Sequence, residues 1–102
     1  MSYYLQAFAP AFGSGLLLSP GVASATAAFP NNSNAVELTN LGATRVSVAF
    51  GNTNAVTATL NGDYTVLPGM KIVVTKNRDY EFVAHISSAA GGSLHIIPGE
   101  GF

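Results

Sequence analysis

In several short runs of this chain apolar and polar residues alternate with a period of two, the spacing at which side chains leave a pleated strand on opposite faces. Val36-Glu37-Leu38-Thr39 alternates in this way, and Arg45-Val46-Ser47-Val48-Ala49-Phe50 places Val46, Val48 and Phe50 on one face. Lys71-Ile72-Val73-Val74-Thr75-Lys76 reads as a strand bracketed by lysines. Phe82-Val83-Ala84-His85-Ile86-Ser87 puts Phe82, Ala84 and Ile86 on one side, and Leu94-His95-Ile96-Ile97 follows. Between these runs lie turn signals: Asn40-Leu41-Gly42, Gly51-Asn52-Thr53-Asn54, Asn61-Gly62-Asp63 and Leu67-Pro68-Gly69-Met70, where Gly, Asn and Pro supply the backbone angles that tight turns need. Ser88 to Ser93 is a small-residue stretch that predicts a hairpin between the last two strands. Ala23 to Ala28 is rich in alanine, but Ser24 and Thr26 alternate through it and Pro20 and Pro30 bracket it, so it reads as an extended strand. Tyr3 to Ala9 carries a strand pattern too. Short strands with turn signals every ~8–12 residues predict an all-β fold. The expected architecture is an antiparallel β-sandwich or small jelly-roll-like barrel with an extended N-terminal segment.

Charge changes this picture more than any motif does. Of 102 residues, 48% are hydrophobic and only 9% are charged, where about a quarter is usual. No charged residue precedes Glu37. The chain divides softly near Pro30-Asn31-Asn32-Ser33-Asn34, within what is overall a single domain. Residues 1–30 form an uncharged N-terminal segment or arm, and residues 31–102 an antiparallel β domain. The N-terminal segment keeps Tyr3, Tyr4, Phe8, Phe12 and Phe29 together with Leu16 and Leu17. Either these side chains fill the common core, or some of them lie on a neighbouring subunit. Phe102, after the Pro98-Gly99 break, is a second place where a subunit could be hooked. The interface candidates are therefore Tyr3, Tyr4, Phe8, Phe12, Leu16, Leu17, Phe29 and Phe102.

The composition also narrows the chemistry. There is no cysteine, so disulfides and thiolate sites are excluded. Arg45, Lys71, Lys76 and Arg78 are the only strong cations in a chain of net charge −1, too few for the basic face that nucleic acid requires. Leu16-Leu17-Leu18 is stopped by Ser19-Pro20-Gly21, far short of the ~20 apolar residues of a membrane span. Leu16 to Ala28 loosely imitates a secretory signal, but the start Met-Ser-Tyr-Tyr lacks the positive charge such a signal carries. His85 and His95 fall on the two arms of the expected last hairpin. Two imidazoles are fewer than the three or four protein ligands that zinc takes, so no metal or other cofactor is expected. Asp79 and Glu81 sit in the alternating run Lys76 to Glu81, which reads as an exposed turn with local ion pairs rather than as an acid–base pair in a pocket. Neither Gly13-Ser14-Gly15 nor Gly99-Glu100-Gly101 has the length or the following helix of a phosphate loop. No catalytic constellation emerges, and an enzyme is not expected.

One resemblance is carried by residues 36–102. Val66-Leu67-Pro68-Gly69, then Ile72-Val73-Val74-Thr75-Lys76, then Val83-Ala84-His85-Ile86, and the ending Ile97-Pro98-Gly99-Glu100-Gly101 resemble small virion structural proteins of tailed bacteriophages. The resemblance implies a capsid decoration, or cement, protein: an all-β module on the outside of the shell. Its implied partners are the major capsid protein and further copies of itself, as a trimer or a dimer. The implied locations are the outer capsid surface of the virion and, during assembly, the host cytoplasm. It supplies no catalytic residue. Two other readings stay open: a β-module of a tail, baseplate or fibre, and a carbohydrate-binding β-sandwich using Tyr3, Tyr4, Tyr64 or Tyr80.

Overall fold

The fold is a sandwich of two antiparallel sheets, described here from a computed structural model for residues 8–101. The strands in chain order are β1 (Ala9–Pro10), β2 (Leu16–Leu18), β3 (Ala25–Ala28), β4 (Ala35–Asn40), β5 (Val46–Gly51), β6 (Tyr64–Val66), β7 (Lys71–Thr75), β8 (Phe82–Ser87) and β9 (Leu94–Glu100). The first sheet runs β1-β9-β4-β7, with β2 continuing along the same edge of β9 as β1. The second runs β3-β8-β5-β6. The uncharged N-terminal segment therefore supplies an edge strand to each sheet.

Strand register decides which side chains meet between the sheets, because residues directly opposite on neighbouring strands share a face. In the first sheet Val36 and Leu38 of β4 lie opposite Pro98 and Ile96 of β9, and opposite Val74 and Ile72 of β7. In the second, Val46, Val48 and Phe50 of β5 lie opposite Ser87, His85 and Val83 of β8, and Val66 of β6 stands beside Val46. Val36, Leu38, Leu94 and Ile96 thus face Val46, Val48, Val66 and Val83, with Phe29 closing one end against Phe50. Each of these large side chains contributes roughly 1.5–3 kcal/mol by leaving water.

Phe82, Ala84 and Ile86 do share a face of β8, as their spacing implies, but it is the face turned away from the core. Ala84 and Ser47 on that outer face are nevertheless fully buried. Residues 52–63 lie across it: Val56 packs on Gly51, and the buried Ala58 donates its backbone N–H to Ser24 Oγ at 2.9 Å. The same segment ends in the expected Asn61-Gly62 turn, with Asn61 at φ 68°. Asp63 holds it by accepting hydrogen bonds from the N–H and hydroxyl of Thr59. The turn at Leu67-Pro68-Gly69-Met70 is equally legible: Gly69 takes φ 78°, and Met70 N–H donates to Leu67 C=O at 3.0 Å. This is the positive angle that a type II turn demands after proline.

The expected hairpin between the last two strands does not form. β8 pairs with β3 and β5, whereas β9 pairs with β1, β2 and β4, so residues 88–93 carry the chain from one sheet to the other. Gly92 N–H donates to Pro20 C=O and Ser87 N–H to Gly21 C=O, which ties this crossing to the β2–β3 link. A small-residue loop suits a hairpin and a crossing equally well, and the partners of each strand decide between them.

Asn40 joins the two sheets at the β4–β5 crossing. It is fully buried at the end of β4, where the chain leaves the first sheet. Its Nδ2 donates to Thr44 C=O at 2.8 Å and to Val66 C=O at 2.9 Å, and its Oδ1 accepts Gly42 N–H at 3.0 Å. One side chain thus shapes the β4–β5 connection and reaches β6 in the opposite sheet. Asn40→Ala strands a donor and two carbonyls, and buried unsatisfied groups cost about 1–3 kcal/mol each. We expect a loss of about 2–4 kcal/mol in urea denaturation; a loss below about 1 kcal/mol contradicts this role for the amide.

Candidate functional site

Two surfaces stand out, and they differ in character. The first is a flank of the sandwich. β2 is an edge of the first sheet and β3 an edge of the second, and residues 19–24 connect them, so both edges lie on one side of the molecule. This flank comes entirely from the region before Glu37 and has no charged side chain of its own. Leu17 is 67% exposed and Val22 66%, and Phe12, in the break between β1 and β2, is 88% exposed. Large apolar groups held in water are what association surfaces are made of. On the opposite flank, β7 begins with Lys71 and is followed by Lys76, and Asp63 immediately precedes β6.

The second surface is a polar end. Residues 30–34, residues 76–81 and the end of β9 meet there. Lys76 Nζ donates to Ser33 C=O at 2.7 Å and Tyr80 C=O at 2.9 Å, and stands 4.8 Å above the Phe29 ring. Partial burial and the nearby charge of Arg78 push its pKa down. Arg78 forms a two-pronged ion pair with Glu100. The hydrogen bonds between them hold the Glu100 carboxyl below its ordinary range and raise the guanidinium. Asn34 pairs with Gly101 on both sides, Nδ2 donating to its C=O at 3.1 Å and Oδ1 accepting its N–H at 2.7 Å. The side-chain amide thereby acts as one more rung of the β4–β9 ladder. The local ion pairs expected within Lys76–Glu81 are not the ones found: among the described residues the ion pair joins Arg78 to Glu100, distant in sequence but brought close by β9. Lys76 instead caps backbone carbonyls.

The interface candidates separate by position. Phe12 and Leu17 are exposed on the flank, and Leu16, opposite Ile96, turns inward and is half-buried. Phe8 is half-buried with its ring lying over Gly99, where an added Cβ would come within 2.9 Å of the ring and collide with Ala9 C=O. Phe29 is only 8% exposed and belongs to the core. Tyr3, Tyr4 and Phe102 lie outside the described residues. Val22 was not singled out by its sequence context; its signal was a lone large apolar residue in a link of glycine, serine and alanine.

The two histidines are not neighbours. His85 faces the interior of the second sheet opposite Val48 and Ala25, and His95 stands on the outer face of the first sheet, between Leu17 and Thr39. Their expected proximity depended on the hairpin that does not form. Among the described residues no three His, Asp or Glu side chains converge as metal ligands, and no ligand-sized cavity opens. No family model, curated protein or solved structure matches this chain. What the described surface offers a partner is apolar contact area and strand-edge hydrogen bonding.

His85 is 6% exposed, and its Nδ1 is buried without a hydrogen-bond partner among the described residues. Burial pushes its pKa down, so the folded state binds this proton less readily than the unfolded chain does. Its contribution to stability is therefore complete above the ordinary histidine range and falls away as pH drops through the lowered value. Urea midpoints measured between about pH 7 and pH 5 should fall for the wild type and fall less steeply for His85→Leu. Parallel profiles would show that His85 is not the titrating group.

Proposed function

We propose that this protein is a structural component of a virus particle, a decoration protein that binds and stabilises the outer capsid shell of a tailed bacteriophage. The observation that carries this reading is the charge-free flank with exposed Phe12, Leu17 and Val22 on a small, densely packed β-sandwich. A monomeric soluble domain normally covers itself with mixed charge, whereas a module held in an assembly has its apolar surface covered by its neighbours. The turn and strand motifs of residues 36–102 support the same reading by their resemblance to small virion proteins.

On this reading the function is mechanical. The module lies across the junctions between shell subunits, and its flank buries apolar area at roughly 25 cal/mol per Å², less the cost of association. A modest gain at each site is multiplied over the many equivalent sites of the shell, so the lattice resists internal pressure and heat. Rigidity suits this task. The Asn40 crossing, the Lys76 cap and the Asn34–Gly101 rung hold loops that would otherwise fray, so little is lost in ordering them on binding.

Purified protein mixed with shells assembled without it should bind them at fixed stoichiometry and raise their thermal disruption temperature. Leu17→Asp and Val22→Asp, both at exposed positions and so within about 0.5 kcal/mol of wild-type stability, should weaken binding at least about tenfold, since burying an unpaired carboxylate is costly. Shells that neither bind the protein nor gain heat tolerance would refute the reading.

A further inference from the structure

Each open sheet ends in edge strands whose outward N–H and C=O groups can pair with another chain. In the second sheet the edge strand on the uncharged flank is β3. Phe29 N–H donates to Glu81 C=O at 2.8 Å, and the ladder continues from Ala28 opposite Phe82 to Ala25 opposite His85. Antiparallel ladders alternate, so Ala27 and Ala25 also direct their backbone groups at β8, and Thr26 and Ala28 direct theirs away from it. By this alternation the N–H and C=O groups of Thr26 and Ala28 are not used in the β3–β8 ladder, and both residues are exposed.

The other edges are guarded in ways that natural sheets use. β7 has Lys71 at its start and Lys76 just past its end. The β1–β2 edge contains Pro10 and is broken between Pro10 and Leu16. β6 is only three residues long, with Asp63 directly before it. β3 has no charge, no proline within it and no break.

We propose that β3 is a self-association edge, pairing antiparallel with β3 of a second copy about a two-fold axis at Ala27. Thr26 of each copy then lies opposite Ala28 of the other, and each such pair exchanges two N–H···O=C hydrogen bonds using the groups that β8 leaves free. Pro30, without an N–H, ends the ladder beyond this pair. The two four-stranded sheets become one continuous sheet through β3. The pairing is self-complementary because each residue that supplies a donor also supplies an acceptor, as a two-fold contact requires. This inference concerns the protein alone and does not depend on what shell or other body the dimer decorates.

The test is sedimentation equilibrium combined with amide hydrogen exchange on the full chain. The wild type should be a monomer–dimer equilibrium, with Thr26 and Ala28 amides gaining protection as concentration rises. Thr26→Pro removes an N–H that points away from β8 and so spares the β3–β8 ladder. It should raise the dimer dissociation constant about 10- to 30-fold, the effect of two lost hydrogen bonds per dimer, while leaving the thermal midpoint close to wild type. Thr26→Lys, which keeps the N–H but adds like charges at the junction, should also favour the monomer. Thr75→Pro on the β7 edge should leave the dimer intact. A wild type that stays monomeric at all concentrations would overturn the proposal. So would Thr26 and Ala28 amides that are protected in the monomer, or an oligomer indifferent to both Thr26 variants.

Discussion

A sandwich of two open sheets must leave strand edges, and this chain has little charge with which to guard them. Most of its features follow from that constraint. The few charged residues are concentrated on one flank and at one end: lysines around β7, Asp63 before β6, and the run from Lys76 to Glu81 facing Glu100. The remaining flank is built from residues with no charge at all. A domain that kept its own company in water would distribute the same charges around every edge. The uneven distribution gives the molecule one charged flank and one uncharged flank.

The interior shows how a small fold keeps its two sheets in register without disulfides. Apolar packing between Leu38, Ile96, Val48 and Val83 is strong but non-directional. Direction comes from a few polar residues placed where the chain changes sheets or where loops meet. Asn40 joins the β4–β5 crossing to β6, Asn34 extends the β4–β9 ladder to Gly101, and Lys76 gathers the carbonyls of Ser33 and Tyr80 over Phe29. Outside the sandwich, residues 52–63 bury the outer face of β5 and β8, which makes the second sheet effectively a middle layer.

That third layer explains where sequence pattern was informative and where it was not. The strands at residues 35–40, 46–51, 71–75, 82–87 and 94–100 are all visible as alternation, and the turns at Asn61 and Gly69 as residue type. In β5 the core face was legible because Val46, Val48 and Phe50 contrast with Ser47. In β8 the contrast inverts: apolar Phe82 and Ile86 flank the outer face, while His85 and Ser87 point inward. When both faces of a strand are covered, alternation no longer reports which one is the core. The β8–β9 crossing was illegible for a related reason, since pairing across sheets is decided by distant strands and leaves no mark in the connecting loop. For the candidate surface, the absence of charge before Glu37 was plain in the sequence. The separation of Phe29 into the core from Phe12 and Leu17 on the surface was not, because all three are large apolar residues in the same uncharged segment.

β9 lies inside the first sheet, with β4 on one side and β1 and β2 on the other, although it is the last strand of the described chain. β1 and β2 are therefore synthesised well before β9, the strand they pair with. Closing that distance costs chain entropy before any contact repays it, and such topologies fold slowly. During that delay it is the uncharged strands that stand open. The sequence that leaves the finished molecule an uncharged flank is also the part most exposed to wrong partners while the molecule is being made. The interval between synthesis and closure, rather than the stability of the finished sandwich, is where this protein is most vulnerable to aggregation.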